Sequence, residues 1–137
     1  MTADGVTVHG MLPLGDPRGR QQLESLLREA TCFVLPSRHE TSALAYVDAA
    51  HAGLPSIVST AGGSEELVGL GGIGVDPTDD RALLEAMMAL SEPTVARATG
   101  AKAHTHAQRY TWDAVAERLL RALRPDQAVQ RNLAEFL

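Results

Sequence analysis

Apolar and polar positions alternate over residues 6–9, VTVH, just ahead of Gly10, and a period of two predicts a short strand there. Pro13, Gly15, Pro17 and Gly19 then break any regular pattern and predict a loop. Over residues 21–30 the period lengthens: Leu23, Leu26, Leu27 and Ala30 recur as one face of a helix. Residues 32–35, CFVL, form an unbroken apolar run short enough for a fully buried strand, and Pro36 ends it. A helix follows from about 42 to 52, with Leu44, Val47 and Ala50 on its inner side and Gly53 as its stop. Residues 56–59, SIVS, read as the next strand, Gly62 and Gly63 as a turn, and 64–68 as a short helix. A glycine-rich loop leads to a brief strand near Gly74 and Val75.

The remainder is helical in pattern. Asp79 and Asp80 stand in the first turn of a helix reaching about residue 90, where negative charge suits the dipole, with Leu83, Leu84, Met87 and Leu90 as its stripe. Pro93 suits the first turn of a helix running to about 109. Thr111 caps a further helix over 112–123, with Trp112, Val115, Leu119, Leu120 and Leu123 on one face, so core packing is expected of Trp112. Residues 127–137, beyond Pro125, carry a weaker helical pattern. Strands alternating with helices, without hairpin turns, predict an α/β fold: a partial Rossmann-like parallel sheet flanked by helices. Such sheets bind ligands at the carboxyl ends of their strands, here residues 36–40 and 10–12. One domain over 1–123 with a tail over 124–137 is the expected division, and there is no internal repeat.

Composition narrows the classes. A chain of 137 residues with 45% hydrophobic and 21% charged residues is long enough for one domain with a real core. Only 4% is aromatic, so the core must come from Leu, Val, Ala and Met. The net charge of -5 offers no basic footprint for nucleic acid. No apolar run approaches the roughly 20 residues of a membrane span. The first ten residues carry no Lys or Arg and no signal-peptide pattern. The lone Cys32 forms no internal disulfide and sits in an apolar run, so it reads as a small buried hydrophobe in a reducing, cytoplasmic protein.

The candidate chemistry centres on Glu40 and, eight positions on, Asp48. One reading is structural: Ser37 and Glu40 fit a capping box, and Asp48 is a solvated helix residue. The other is functional. Unpaired amides at the start of the following helix attract an anion, so amides would hold a phosphate while the two acids hold sugar hydroxyls. His39, beside Glu40, is a further ligand-contact candidate. The run from Gly69 to Gly74 matches G-x-G-x-x-G, but no strand precedes it and no helix opens on it, so a turn is the reading. His104 and His106 alternate in a helix and face different ways, and no set of His, Cys and acids has metal-ligand spacing. No nucleophile elbow is present.

Together, PSRHE and DAAHAGLPSIVSTAGGSEELV resemble the donor-binding half of glycosyltransferases of the GT-B fold, and more narrowly the retaining, nucleotide-sugar-dependent enzymes of family 4. That family has a strand ending in Pro-Ser, then Glu, seven residues, Glu-Ala, Gly-x-Pro-Val, a strand, Gly-Gly and Glu. This chain supplies Pro36, Ser37, Glu40, Asp48, Ala49, Gly53, Pro55, Gly62, Gly63 and Glu66. VTVHG, GIGVDPTDDRALLEAM and YTWDAVAERLL resemble other segments, so the similarity covers roughly residues 6–123. The resemblance implies that Glu40 lies by the donor sugar and pyrophosphate as the catalytic residue, and that Asp48 binds the ribose hydroxyls. It also implies that the amides of Thr41, Ser42, Ala43 and Leu44 meet the pyrophosphate and that Met11 and Leu12 flank the base. No metal and no cofactor beyond the nucleotide-sugar substrate is implied.

Two departures stand out. Asp48 is one methylene shorter than the usual Glu, and the family's Gly-Phe-Gly is here Ser42-Ala43-Leu44, where side chains restrict backbone approach. The family also uses an acceptor domain, and an Arg and a Lys that neutralise the leaving diphosphate, from segments this sequence does not contain. Two strands between those at Val6 and Cys32 would be missing as well, leaving exposed sheet edges. The expectation is therefore a donor-domain fragment, inactive alone, whose partners are a nucleotide-sugar and an acceptor domain or another chain that completes the sheet. The alternatives are a non-catalytic nucleotide-sugar-binding module and part of another GT-B enzyme such as a sugar-nucleotide epimerase. Peripheral membrane contact is the alternative to a purely cytoplasmic place for a full-length enzyme.

Overall fold

The structure, a computed structural model, describes residues 3–40 and 43–123. Its centre is a three-stranded parallel sheet in the order β1 (Phe33–Leu35), β2 (Ser56–Ser59), β3 (Gly72–Val75). Phe33 pairs with Ser56 and Ser56 with Gly72, so the three amino ends align, as do the carboxyl ends at Leu35, Ser59 and Val75. Among the described residues six helices surround it: α1 (Pro17–Glu29), α2 (Leu44–His51), α3 (Ser64–Val68), α4 (Asp80–Ser91), α5 (Pro93–Ala107) and α6 (Trp112–Leu123). Single 3₁₀ turns at Gly69–Gly71 and Gln108–Tyr110 join α3 to β3 and α5 to α6.

The strand period sorts the core onto two faces. Phe33, Leu35 and Val58 pack with Ala43, Tyr46, Leu67 and Val68 on one face. Val34, Ile57, Ile73 and Val75 pack with Ala82, Leu83, Ala86 and Leu90 on the other. Cys32 joins that second cluster but is only half-buried, less than expected for a core hydrophobe; burial still pushes its thiol pKa up. A third contact, of Ala50 with Ala103 and Ala107, joins α2 to α5 through small side chains. Helix ends follow local chemistry. Asp16 and Asp79 accept the first free amides of α1 and α4, and Glu92 accepts the Val95 amide at the start of α5. Thr111 Oγ1 accepts from the Ala114 amide, as its position ahead of α6 predicts.

Several expectations are corrected. Residues 6–9 form no strand; Val6 and Val8 are 55% and 72% exposed, and the free edge of β1 is not occupied by them. A strand is stabilised by its neighbour, and this segment has none. In α2 the buried residues are Tyr46, Val47, Ala49 and Ala50, while Leu44 is exposed. In α4 only Ala86 and Leu90 are buried, and Leu84, Met87 and Met88 face out, so among the described residues no Met contributes to the buried core. Trp112 is 88% exposed and no residue of α6 is buried, so the stripe that predicted core packing lies open. The segment over 127–137, with the tail over 124–137, lies outside the described residues.

Candidate functional site at the carboxyl ends of the strands

The chain leaves β1 at Leu35 and turns through Pro36 to Glu40 before α2 begins. No capping box closes that helix: its N-cap is Ala43, which offers no side-chain acceptor. Glu40 is half-buried and presses against the Gly62 turn, where a Cβ would sit 3.4 Å from the Glu40 carbonyl oxygen and φ is +88°. That positive φ is what glycine supplies at this turn. Beneath them lies Tyr46, fully buried, its hydroxyl donating to the Leu35 carbonyl and its ring edge-on to Phe33 at 5.6 Å. Burial raises the Tyr46 phenol pKa, and the nearby Glu40 charge raises it further. The phenol therefore stays protonated and ties α2 to the end of β1.

Asp48 is exposed on α2, one turn after Leu44 and three residues before His51, so the three share a helix face. That face borders two grooves. One, of about 460 Å³, is walled by Leu44, Asp48 and His51 on one side and Tyr110, Thr111 and Trp112 on the other. The second, of about 340 Å³, brings Asp48 and His51 opposite Leu14, Arg20 and the Leu23 and Leu27 side of α1. Arg20 is held there by its Nη1, which donates to the Leu14 carbonyl at 2.7 Å. At the carboxyl end of α2, His104 Nδ1 lies 3.0 Å from the His51 carbonyl oxygen, with the two imidazole rings 6.4 Å apart, and fixes α5 against it.

Of the residues singled out in the sequence, Leu44 and Asp48 thus share a groove. Ala43 is buried under the loop, and His39 is exposed beside Glu40. Met11 is 96% exposed and Leu12 half-buried; it is Leu14, two positions further, that reaches the Asp48 groove. Thr41 and Ser42 lie outside the described residues. The groove walls Leu14, Arg20, His51, Tyr110 and Trp112 were not among the sequence candidates. Only His51 left a signal, its spacing of three from Asp48. His104 and His106 do face different elements, α2 and α3. The Gly69–Gly74 run opens into β3 rather than a helix, which removes the dinucleotide reading. Among the described residues no cluster of three or more His, Cys, Asp or Glu could hold a metal, and no helix is long and apolar enough to cross a membrane.

The sequence model of the "Glycosyl transferases group 1" family matches residues 2–93, about two thirds of the chain. The chain belongs to this family. The D-inositol 3-phosphate glycosyltransferase of Thermobifida fusca is 31% identical over 127 residues, 89% of this chain and 29% of that enzyme. The enzyme of the same description from Catenulispora acidiphila is 33% identical over 111 residues, 79% of this chain and 27% of its own. The chain therefore spans less than a third of the length of these curated relatives. Among solved structures, sucrose-phosphate synthase from Thermosynechococcus elongatus superposes with a TM-score of 0.62 at 26% identity, covering 80% of this chain and 36% of that one. The fold is that of part of a GT-B glycosyltransferase, a Rossmann-like α/β sheet.

Proposed function

We propose that this chain is the donor-binding part of an enzyme that transfers a sugar from a nucleotide-sugar with retention at the anomeric carbon. Glu40 lies by the donor sugar and pyrophosphate and Asp48 takes the ribose hydroxyls. The backbone over 41–44 meets the pyrophosphate, and the loop after Gly10, with Met11 and Leu12, flanks the base; His39 is a further contact. The observation that carries this reading is the placement of the two family acids. Glu40 stands at the carboxyl end of β1, where open parallel sheets take ligands, and Asp48 opens onto two grooves, one bordered by Leu14 and the other by Tyr110 and Trp112. The protein's part in the chemistry is electrostatic, stabilising a leaving diphosphate, and the cations for that come from a segment outside this sequence. The 137-residue chain alone is therefore inactive.

The test is a thermal-shift and calorimetric titration of the chain with UDP, GDP and a panel of nucleotide-sugars, beside a transfer assay. Saturable binding that weakens about tenfold in Asp48→Ala, with no transfer, is expected; a tenfold change is about 1.4 kcal/mol. Sugar transfer by the isolated chain, or nucleotide binding unaffected by Asp48→Ala, overturns the reading.

A second reading, a non-catalytic module that completes another chain, is favoured by the free edge of β1 and the uncovered stripe of α6. Sedimentation velocity and the nucleotide-sugar titration test it together: strict monomer behaviour with no thermal shift by any nucleotide-sugar counts against it.

A further inference from the structure

We infer that a groove between the Gly69–Gly71 turn and the second half of α5 binds a small molecule carrying a phosphate group on an apolar body. The groove has a volume of about 450 Å³, within the range of small-ligand sites. Leu70 and Ala101 give it an apolar wall, and Lys102, Thr105, His106 and Arg109 a polar one. Lys102 is the only lysine in a chain of net charge -5. No acid lines the groove, and residues 93–112 contain no Asp or Glu at all. Two other arginines are matched by an acid within their own helix: Arg81 pairs with Glu85 and Arg121 with Glu117. Lys102 and Arg109 have no such partner among the described residues.

Lys102 lies in α5 and Arg109 in the 3₁₀ turn that follows it, and both stand on the wall of the groove, where an oxyanion between them would meet both charges. A guanidinium binds phosphate with two parallel hydrogen bonds, and an ammonium adds a point charge. His106 lies between them and is already oriented: its Nε2 is 3.0 Å from the Glu66 carbonyl oxygen and its ring is 5.8 Å from that of Tyr110. The turn opposite is held flush. A Cβ on Gly71 would collide with the Ala103 backbone, and one on Gly69 would stand 2.6 Å from the His106 ring. That close approach leaves Leu70, 80% exposed, as a ledge for the apolar body. Cations near a helix C-terminus also complement its dipole. That accounts for charge in the last turn, but not for Lys102 nearly two turns earlier, or for the ledge facing it. The turn leads into the amino end of β3, so the groove lies at the opposite end of the sheet from Glu40 and does not depend on the donor-site reading.

The experiment is a ¹⁵N NMR titration of the full chain at fixed ionic strength, with octyl phosphate below its micelle concentration and, separately, inorganic phosphate. Saturable shifts confined to residues near 70 and 101–109 are expected, with octyl phosphate about tenfold tighter than inorganic phosphate. The double variant Lys102→Gln, Arg109→Gln weakens binding about tenfold or more. Leu70→Ser, on the exposed ledge, is the second variant should the first unfold; it narrows the gap between the two probes. Co-sedimentation with phosphatidylcholine vesicles, with and without phosphatidic acid, identifies the source. Retention by the acidic vesicles that needs Lys102 and Arg109 assigns a lipid headgroup; octyl phosphate binding without retention assigns a soluble phosphoester. No saturation at millimolar octyl phosphate, shifts scattered elsewhere, or unchanged affinity in a folded double variant overturns the proposal and leaves the cations as a helix cap only.

Discussion

Gly100 sits in the middle of α5, where helix propensity and packing make opposite demands. Propensity alone says that Gly100→Ala stabilises the helix by about 0.8–1 kcal/mol. The packing forbids it. A Cβ there would fall inside the van der Waals shell of the Gly53 carbonyl oxygen, 3.1 Å from its carbon and 3.3 Å from Pro55 Cδ. Ordinary carbon contacts are about 3.5–4.0 Å, and the obstacle is backbone at the turn joining α2 to β2, which cannot rotate away. Overpacking of this kind costs about 1–3 kcal/mol, occasionally more. Less the propensity gain, the net expectation is a loss of about 1 kcal/mol, read as a fall in the urea midpoint at constant slope. Ala101→Gly, one residue on and exposed, serves as the control and costs about 1 kcal/mol through propensity alone. Reciprocal substitutions at neighbouring positions then both destabilise. A midpoint for Gly100→Ala at or above the parent value would refute the argument that α5 is seated directly on the Gly53 turn. Because α5 also meets the His51 carbonyl through His104, the same variant should displace the Asp48 groove.

Two further outcomes follow from the site and its supports. Tyr46→Phe keeps the ring contact with Phe33 but removes the bond to Leu35. That carbonyl still accepts the Ser37 amide at 2.9 Å, so the loss is only about 1 kcal/mol; a loss above about 3 kcal/mol in denaturant titration would mean the hydroxyl has a larger role. Glu92, held below the usual carboxylate range mainly by the Val95 amide, contributes stability that is full above its unfolded value near 4.5 and lost as pH falls through the lower folded value. Glu92→Ala should therefore lower the thermal midpoint at neutral pH, with the deficit shrinking once the pH drops below that range; a deficit that grows in acid contradicts it.

Most of the helices and the three paired strands were legible because their signals are local: a period, a cap, a proline or a glycine. The parallel pairing of those strands also held, but the segments and faces whose partner had to be guessed did not. VTVH has a strand's period, yet a strand exists only beside another, and its neighbour is not within reach. Trp112 and the α6 leucines have a core stripe without a core to meet it. In α2 the apolar residues run nearly all round the helix, so the period could not choose a phase, and Tyr46 rather than Leu44 points inward. The acids Glu40 and Asp48 were visible as a spacing, and His51 could have been. Tyr110 and Trp112 lie more than sixty positions from Asp48, and no local pattern joins them to its groove.

The sheet has one more property, visible in its strand order. Position across the sheet repeats position along the chain: β1, then β2, then β3, each docking only on its predecessor. A nascent polypeptide emerging amino end first from the ribosome would find its template already in place at every step. Growth is vectorial, so each strand can pair as it emerges without waiting for a later one to be inserted between it and its neighbour.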